Sequence, residues 1–282
     1  MNWTLAALMA ASVVAVAARP AVAAVGPTPG QPLTVTVESG TLSLRAQLWK
    51  PAGAGSHPAV LFNHGSYTNA QALTASDAAT LGSVFAQHGY VCLFLFRQGI
   101  GLSKGQGTAD GELMSRAQEK EGVEGRNRVQ MQLLEGEELS EASAALAYLR
   151  TRPFVDANRI ALVGHSFGGS LSLLMAARDD RIRAVVVFGA AAASWGRSPA
   201  LRTKLLDAVA RMKAPVLIVH ARNDYSIAPG KALAAEMQRL RKPHALKIYP
   251  RFGKSAIEGH NIVFRSVATW ETDVFAFLRA HP

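Results

Sequence analysis

The chain has 282 residues, a formal net charge of +10, 49% hydrophobic and 18% charged residues. That length and apolar content suit one large folded domain with a sizeable core and exclude an intrinsically disordered chain. Arginines are dispersed singly and no block of five or more basic residues occurs, so the charge reads as a generally cationic surface and no nucleic-acid partner is expected.

In chain order, the N-terminus opens with an apolar run from Leu5 to Ala18, followed by Ala21-Val22-Ala23. The run is short for a bilayer and the A-x-A pattern suits cleavage, so residues 1–23 are expected to be a signal peptide. The mature protein is then secreted or periplasmic, with no stable membrane insertion. The lack of Lys or Arg before the run, and Arg19 after it, keep an N-terminally anchored form as the alternative. Residues 24–282 show no repeat and no linker, and are expected to form a single domain.

From Leu33 onward, apolar runs alternate with helical patterns. "LTVTVES" and "LSLRAQLWK" read as a strand pair, followed by the strands "PAVLFNHGS", "VCLFLFR", "RIALVGHS", "IRAVVVFGA", "APVLIVHARND" and "HALKIYP". Helical patterns cover Asp77–His88, Leu133–Arg150, Gly169–Arg178, Gly230–Leu240 and Val267–Arg279. Continuous apolar strands separated by helices predict an α/β fold, a mostly parallel central sheet with helices on both faces. Cys92, the only cysteine, falls in one of these strands as a packed thiol. A lone cysteine excludes an intrachain disulfide and a thiolate metal cluster. The segment from Gln98 to Leu134, rich in Gly and Glu, is expected to be a lid-like or binding-loop insertion whose second half has the composition of a solvated acidic helix.

"LVGHSFGGS" carries the pattern G-x-S-x-G at a strand-to-helix turn, with Ser166 at its centre. Gly164 and Gly168 supply the close approach that such a turn needs, and the helix start directs N–H groups at a developing oxyanion. A serine nucleophile requires a base and a group to orient it. Asp224 follows the strand "APVLIVH" at the sheet edge where chemistry gathers, whereas Asp179, Asp180 and Asp207 lie at the opposite edge. Among eight histidines, only His260 falls in a loop after the last strand; His64 and His165 adjoin the turns and precede Asp224. The oxyanion donors are expected to be the backbone N–H of Phe167 and that of Ser66, with Tyr67 as second choice.

With "FNHGS", "FRQGIGLSKG", "DANRIALVGHSFGG", "ARNDYSIAP" and "KIYPRFGKSAIEGH" in order, the chain resembles the α/β-hydrolase superfamily, in its dienelactone hydrolase-like and prolyl-oligopeptidase-like branch. The resemblance covers about residue 40 to the end. It implies Ser166 as nucleophile, His260 as base and Asp224 as orienting acid, acting through an acyl-enzyme on a small-molecule carboxylic ester. An aminopeptidase or amidase, an acyltransferase and a non-catalytic binding protein are the alternatives. Dienelactone hydrolases proper carry cysteine where this chain has Ser166, which argues against dienelactone itself as substrate. No cofactor or metal is expected, since no phosphate-binding loop, dinucleotide fingerprint or metal-ligand spacing occurs. The oligomeric state stays open.

Overall fold

The computed structural model describes Met1, residues 31–69 and residues 71–282. The expected signal peptide and the boundary at residue 24 therefore lie, Met1 apart, outside the described residues.

The strands β1 (Leu33–Ser39), β2 (Leu42–Trp49), β3 (His57–Asn63), β4 (Val91–Leu95), β5 (Val155–His165), β6 (Ile182–Phe188), β7 (Val216–Ala221) and β8 (His244–Tyr249) form one sheet in the order β1-β2-β4-β3-β5-β6-β7-β8. β2 runs antiparallel to both β1 and β4, and every other pairing is parallel. The mostly parallel sheet expected from the sequence is present.

Burial on both faces explains the continuous apolar strands. In β5, Ile160 and Leu162 belong to one core cluster while Ala161 and Val163 belong to the other. The helices α1 (Ala75–Gln87), α8 (Ile262–Arg265) and α9 (Val267–Ala280) pack into the second cluster through Phe85, Val263 and Trp270. On the opposite face lie α2 (Asp110–Glu135), α3 (Glu137–Arg150), α4 (Phe167–Ala176), α5 (Pro199–Arg211) and α6 (Ala228–Arg239). This is the two-sided covering that a parallel sheet requires.

The structure departs from the expected elements in three places. Gln98–Leu134 is largely helical: α2 fills most of it, broken at Gly122, whose φ is 66°. The single helix expected over 133–150 is divided at Gly136, whose backbone (φ −116°, ψ −107°) is not helical. α5 was not expected at all, although Ser198 caps it by accepting the Leu201 N–H and Pro199 opens its first turn.

Candidate functional site

The carboxyl ends of the parallel strands converge on one edge of the sheet. Ser166 follows β5 directly and takes φ 54°, ψ −116°, a conformation that L-residues rarely adopt. Its N–H donates to the Phe188 carbonyl at the end of β6 (2.8 Å), and α4 begins at the next residue. The flanking glycines are sterically enforced. A Cβ at Gly168 would lie 2.1 Å from the Asn63 carbonyl oxygen, and one at Gly164 would lie 2.3 Å from the Gly168 carbonyl oxygen. The spacing therefore reports how closely α4 packs against the ends of β3 and β5.

Asp224, in the turn after β7, is buried and accepts three hydrogen bonds of 2.7 Å. His260 Nδ1 and the Tyr225 backbone N–H donate to Oδ1, and His220 Nδ1 donates to Oδ2. Burial alone would raise the carboxyl; the hydrogen bonds from His220 and His260 outweigh it and hold it well below the usual carboxylate range. His260, expected in a loop, instead ends the short helix α7 (Ala256–His260), because Ser255 and Glu258 start that helix with a reciprocal capping box. Asn223, beside Asp224, fixes this loop. Its Nδ2 donates to the carbonyls of Phe252 (2.8 Å) and Ser255 (2.7 Å), and its Oδ1 accepts the Phe252 N–H (2.9 Å). With Nδ1–H committed to Asp224, the other ring nitrogen of His260 is the one left for chemistry.

Ser166 and His260 line the same cavity of about 250 Å³, together with Gly65, Ser66, Tyr67, His165, Ala193 and Tyr225. No acidic side chain is among its lining residues within the described part of the chain. The structure thus brings together four of the six residues expected from sequence, Ser166, His260, Ser66 and Tyr67, around one space. Asp224 stands behind His260. Phe167 is the first residue of α4, so its N–H has no intrahelical acceptor.

The Tyr67 N–H is already engaged, donating to Asp110 Oδ1 at 3.1 Å. As the second choice for an oxyanion donor it is therefore committed elsewhere, and Ser66 has no such partner among the described residues. The reason lies with Arg97. This guanidinium is buried (1% exposed), donates through Nε to Glu138, lies 3.5 Å from Asp110 Oδ2, and binds the carbonyls of His64 (2.9 Å) and Gly65 (3.1 Å). In a trans peptide the C=O and N–H point in opposite directions. Holding the Gly65 carbonyl on the Arg97 side turns the Ser66 N–H away from it.

Two further imidazoles support the site. His64 donates from Nδ1 to the Gly65 carbonyl (2.6 Å) and accepts the Arg97 N–H at Nε2 (3.1 Å); burial and the Arg97 charge keep its pKa well below the usual range. His165 donates from Nε2 to the His260 carbonyl (3.0 Å), and burial followed by the neighbouring His260 pushes its pKa down to about 3. Both rings are neutral at ordinary pH.

Residues 44–263 match the profile of the dienelactone hydrolase family, more than three quarters of the chain. The chain belongs to the dienelactone hydrolase family. Among relatives, it is 28% identical over 202 residues to the polyketide transferase grgF of a Penicillium species, covering 70% of this chain and 59% of that protein. It is 30% identical over 160 residues to the quorum-quenching protein AidA of Acinetobacter baumannii, covering 56% and 43%. The chain thus spans about half the length of these curated relatives. The α/β-hydrolase fold is shared with the dienelactone hydrolase of Anabaena variabilis (TM-score 0.59, 21% identity, covering 88% of this chain and 97% of that one). It is shared too with a puromycin-hydrolyzing peptidase of Mycobacterium tuberculosis (TM-score 0.64, 16% identity, covering 89% and 39%).

Arg97 and His220, hydrogen-bonded to Gly65 and Asp224, were not singled out from sequence. Arg97 had no local signal, because its partners Asp110 and Glu138 are distant in the chain. His220 was not singled out either, although a histidine four residues before an aspartate at a strand end was the available clue.

Proposed function

We propose that the protein is a serine hydrolase that cleaves carboxylic esters of small molecules through an acyl-enzyme. The observation that carries this reading is the shared cavity: Ser166, at a strained elbow, and His260, hydrogen-bonded at 2.7 Å to Asp224, line the same space. In the proposed cycle Ser166 Oγ attacks the ester carbonyl while His260 Nε2 takes its proton. Asp224 orients the ring and stabilises the imidazolium. The N–H groups of Phe167 and Ser66 hold the oxyanion, each worth about 3–4 kcal/mol in the transition state. His260 returns the proton to the leaving alcohol, and water then releases the acyl group by the same steps.

The absence of a carboxylate among the described residues that line the cavity favours an ester over a substrate whose free amine needs a counter-ion. Transfer to an alcohol instead of water is the second reading, favoured by the relative named as a polyketide transferase. Hydrolysis of p-nitrophenyl esters of increasing acyl length, by the parent and by Ser166→Ala, tests the proposal. Turnover that vanishes in the variant supports it, and full turnover in Ser166→Ala overturns it. Added alcohols that divert product into new esters would indicate transfer. We further propose secretion through cleavage at residue 23, checked by the N-terminal sequence of the exported protein.

A further inference from the structure

We propose that His220 is a positioning residue for this site: by donating to the second oxygen of Asp224 it tempers the carboxylate on which His260 depends. The assignment rests on reading Asp224 and His260 as the acid and base of the hydrolase.

His220 lies on β7, is 1% exposed, and places Nδ1 2.7 Å from Asp224 Oδ2. Its ring packs closely against α6. A Cβ at Gly230 in α6 would fall 2.6 Å from Cδ2 and 2.7 Å from Nε2. That Nε2 is buried without a hydrogen-bond partner among the described residues. A purely space-filling ring would not carry such an unsatisfied atom, so the value of the imidazole lies in its Nδ1–H.

A carboxylate that already accepts from the Tyr225 N–H and His220 has less charge density to offer His260 at Oδ1. A weaker counter-ion stabilises the His260 imidazolium less, so removing the His220 donor strengthens the hold of Asp224 on that ring. The other groups facing His260 do not substitute for this. His165 is neutral, with its ring centroid 4.7 Å away and its Nε2–H on the His260 carbonyl; the Tyr225 ring lies 4.8 Å away; Ser166 is a hydroxyl. Glu258, on the same helix, is occupied with the N–H groups of Lys254 and Ser255.

The test compares the parent with His220→Phe, which keeps a ring and loses the donor, and His220→Asn, whose Nδ2 takes the place of Nδ1 and loses volume. Two properties are read: the pH profile of ester hydrolysis and the low-field proton resonance of the His260–Asp224 hydrogen bond. In His220→Phe the acidic limb moves up by about one pH unit, a roughly tenfold loss of rate on the limb. The resonance moves downfield. His220→Asn restores both. An unchanged limb and resonance in His220→Phe, or the same displacement in His220→Asn, overturns the proposal, because packing alone would be hurt more by asparagine. Should His220→Phe fail to fold, ¹⁵N spectra of the parent decide: His220 protonated at Nδ1 supports the proposal, and protonated only at Nε2 overturns it. The resonance is also read in Ser166→Ala and needs no turnover. Loss of the hydrolase reading is thereby distinguishable from loss of this one.

Discussion

Asp110 Oδ1 accepts the Tyr67 backbone N–H at 3.1 Å, tying the first residue of α2 to the loop that follows β3. The same carboxyl lies 3.5 Å from Arg97, which grips that loop from the other side through the His64 and Gly65 carbonyls. The donor loop beside Ser166 is thus shaped by charges that never reach the cavity.

Replacing Arg97 should expose that dependence. Arg97→Met leaves Glu138 and Asp110 buried without their cation, a change that costs about 3–5 kcal/mol of stability. It also frees the Gly65 carbonyl, so ester turnover should fall by about a hundredfold, the scale of losing one oxyanion donor. Urea unfolding and kcat on a short-chain ester measure the two effects. Arg97→Met combined with Glu138→Leu should recover part of the stability without recovering the rate.

Glu141 predicts a pH signature. Its Oε2 accepts the Gln98 N–H (2.9 Å), but burial pushes its carboxyl up to about 7. A carboxyl raised on folding contributes stability that is full below its ordinary value of 4.5 and is lost as pH rises through about 7. The parent should therefore lose on the order of 2 kcal/mol between about pH 5 and pH 8 from this group. Glu141→Gln, which keeps an acceptor for Gln98, should flatten that slope in denaturant titrations across pH.

Ser166 stores backbone strain as well as chemistry. Ser166→Ala keeps a Cβ at φ 54° and should leave stability nearly unchanged while abolishing turnover. Ser166→Gly should be equally inactive and about 1 kcal/mol more stable, because glycine adopts this conformation freely. Thermal unfolding of the two variants side by side separates strain from catalysis.

Asp224→Asn should preserve the fold and lower kcat by about ten-thousandfold, since an amide no longer fixes the productive tautomer of His260. The sign of the acid response is set too. Asp224 is held below its ordinary range by His220 and His260, against the opposing effect of burial. Its contribution to stability is therefore complete above about pH 4 and is lost as pH falls further. Acid titration of the parent and of Asp224→Asn should diverge only there.

What sequence made legible follows from the range of each interaction. The central strands were visible because two-sided burial leaves them few polar positions, as in Val185–Phe188 of β6, whereas β1 showed only the alternation of an edge strand. Ser166, Asp224 and His260 were visible because strand order places strand ends at one edge. α5 was missed although Leu201, Leu205, Ala208 and Val209, its buried residues, recur at helical spacing and the Ser198-Pro199 start signal was present. Arg97 and the commitment of the Tyr67 N–H were not legible. Both depend on contacts between segments far apart in the chain, with Asp110 opening α2 and Glu138 lying beyond its end, and no local pattern distinguishes Asp110 from the other acidic residues around it.

That excursion sets a condition on engineering and divergence. Three buried carboxyls, Asp110, Glu138 and Glu141, stand against the Arg97–Gln98 corner and come from the stretch that joins β4 to β5. The segment is not an interchangeable module. A chimaera that imports the equivalent stretch from a relative must import a matching set of carboxyls with it. Otherwise the graft fails at a loop some forty residues upstream, with Ser166, Asp224 and His260 all still in place.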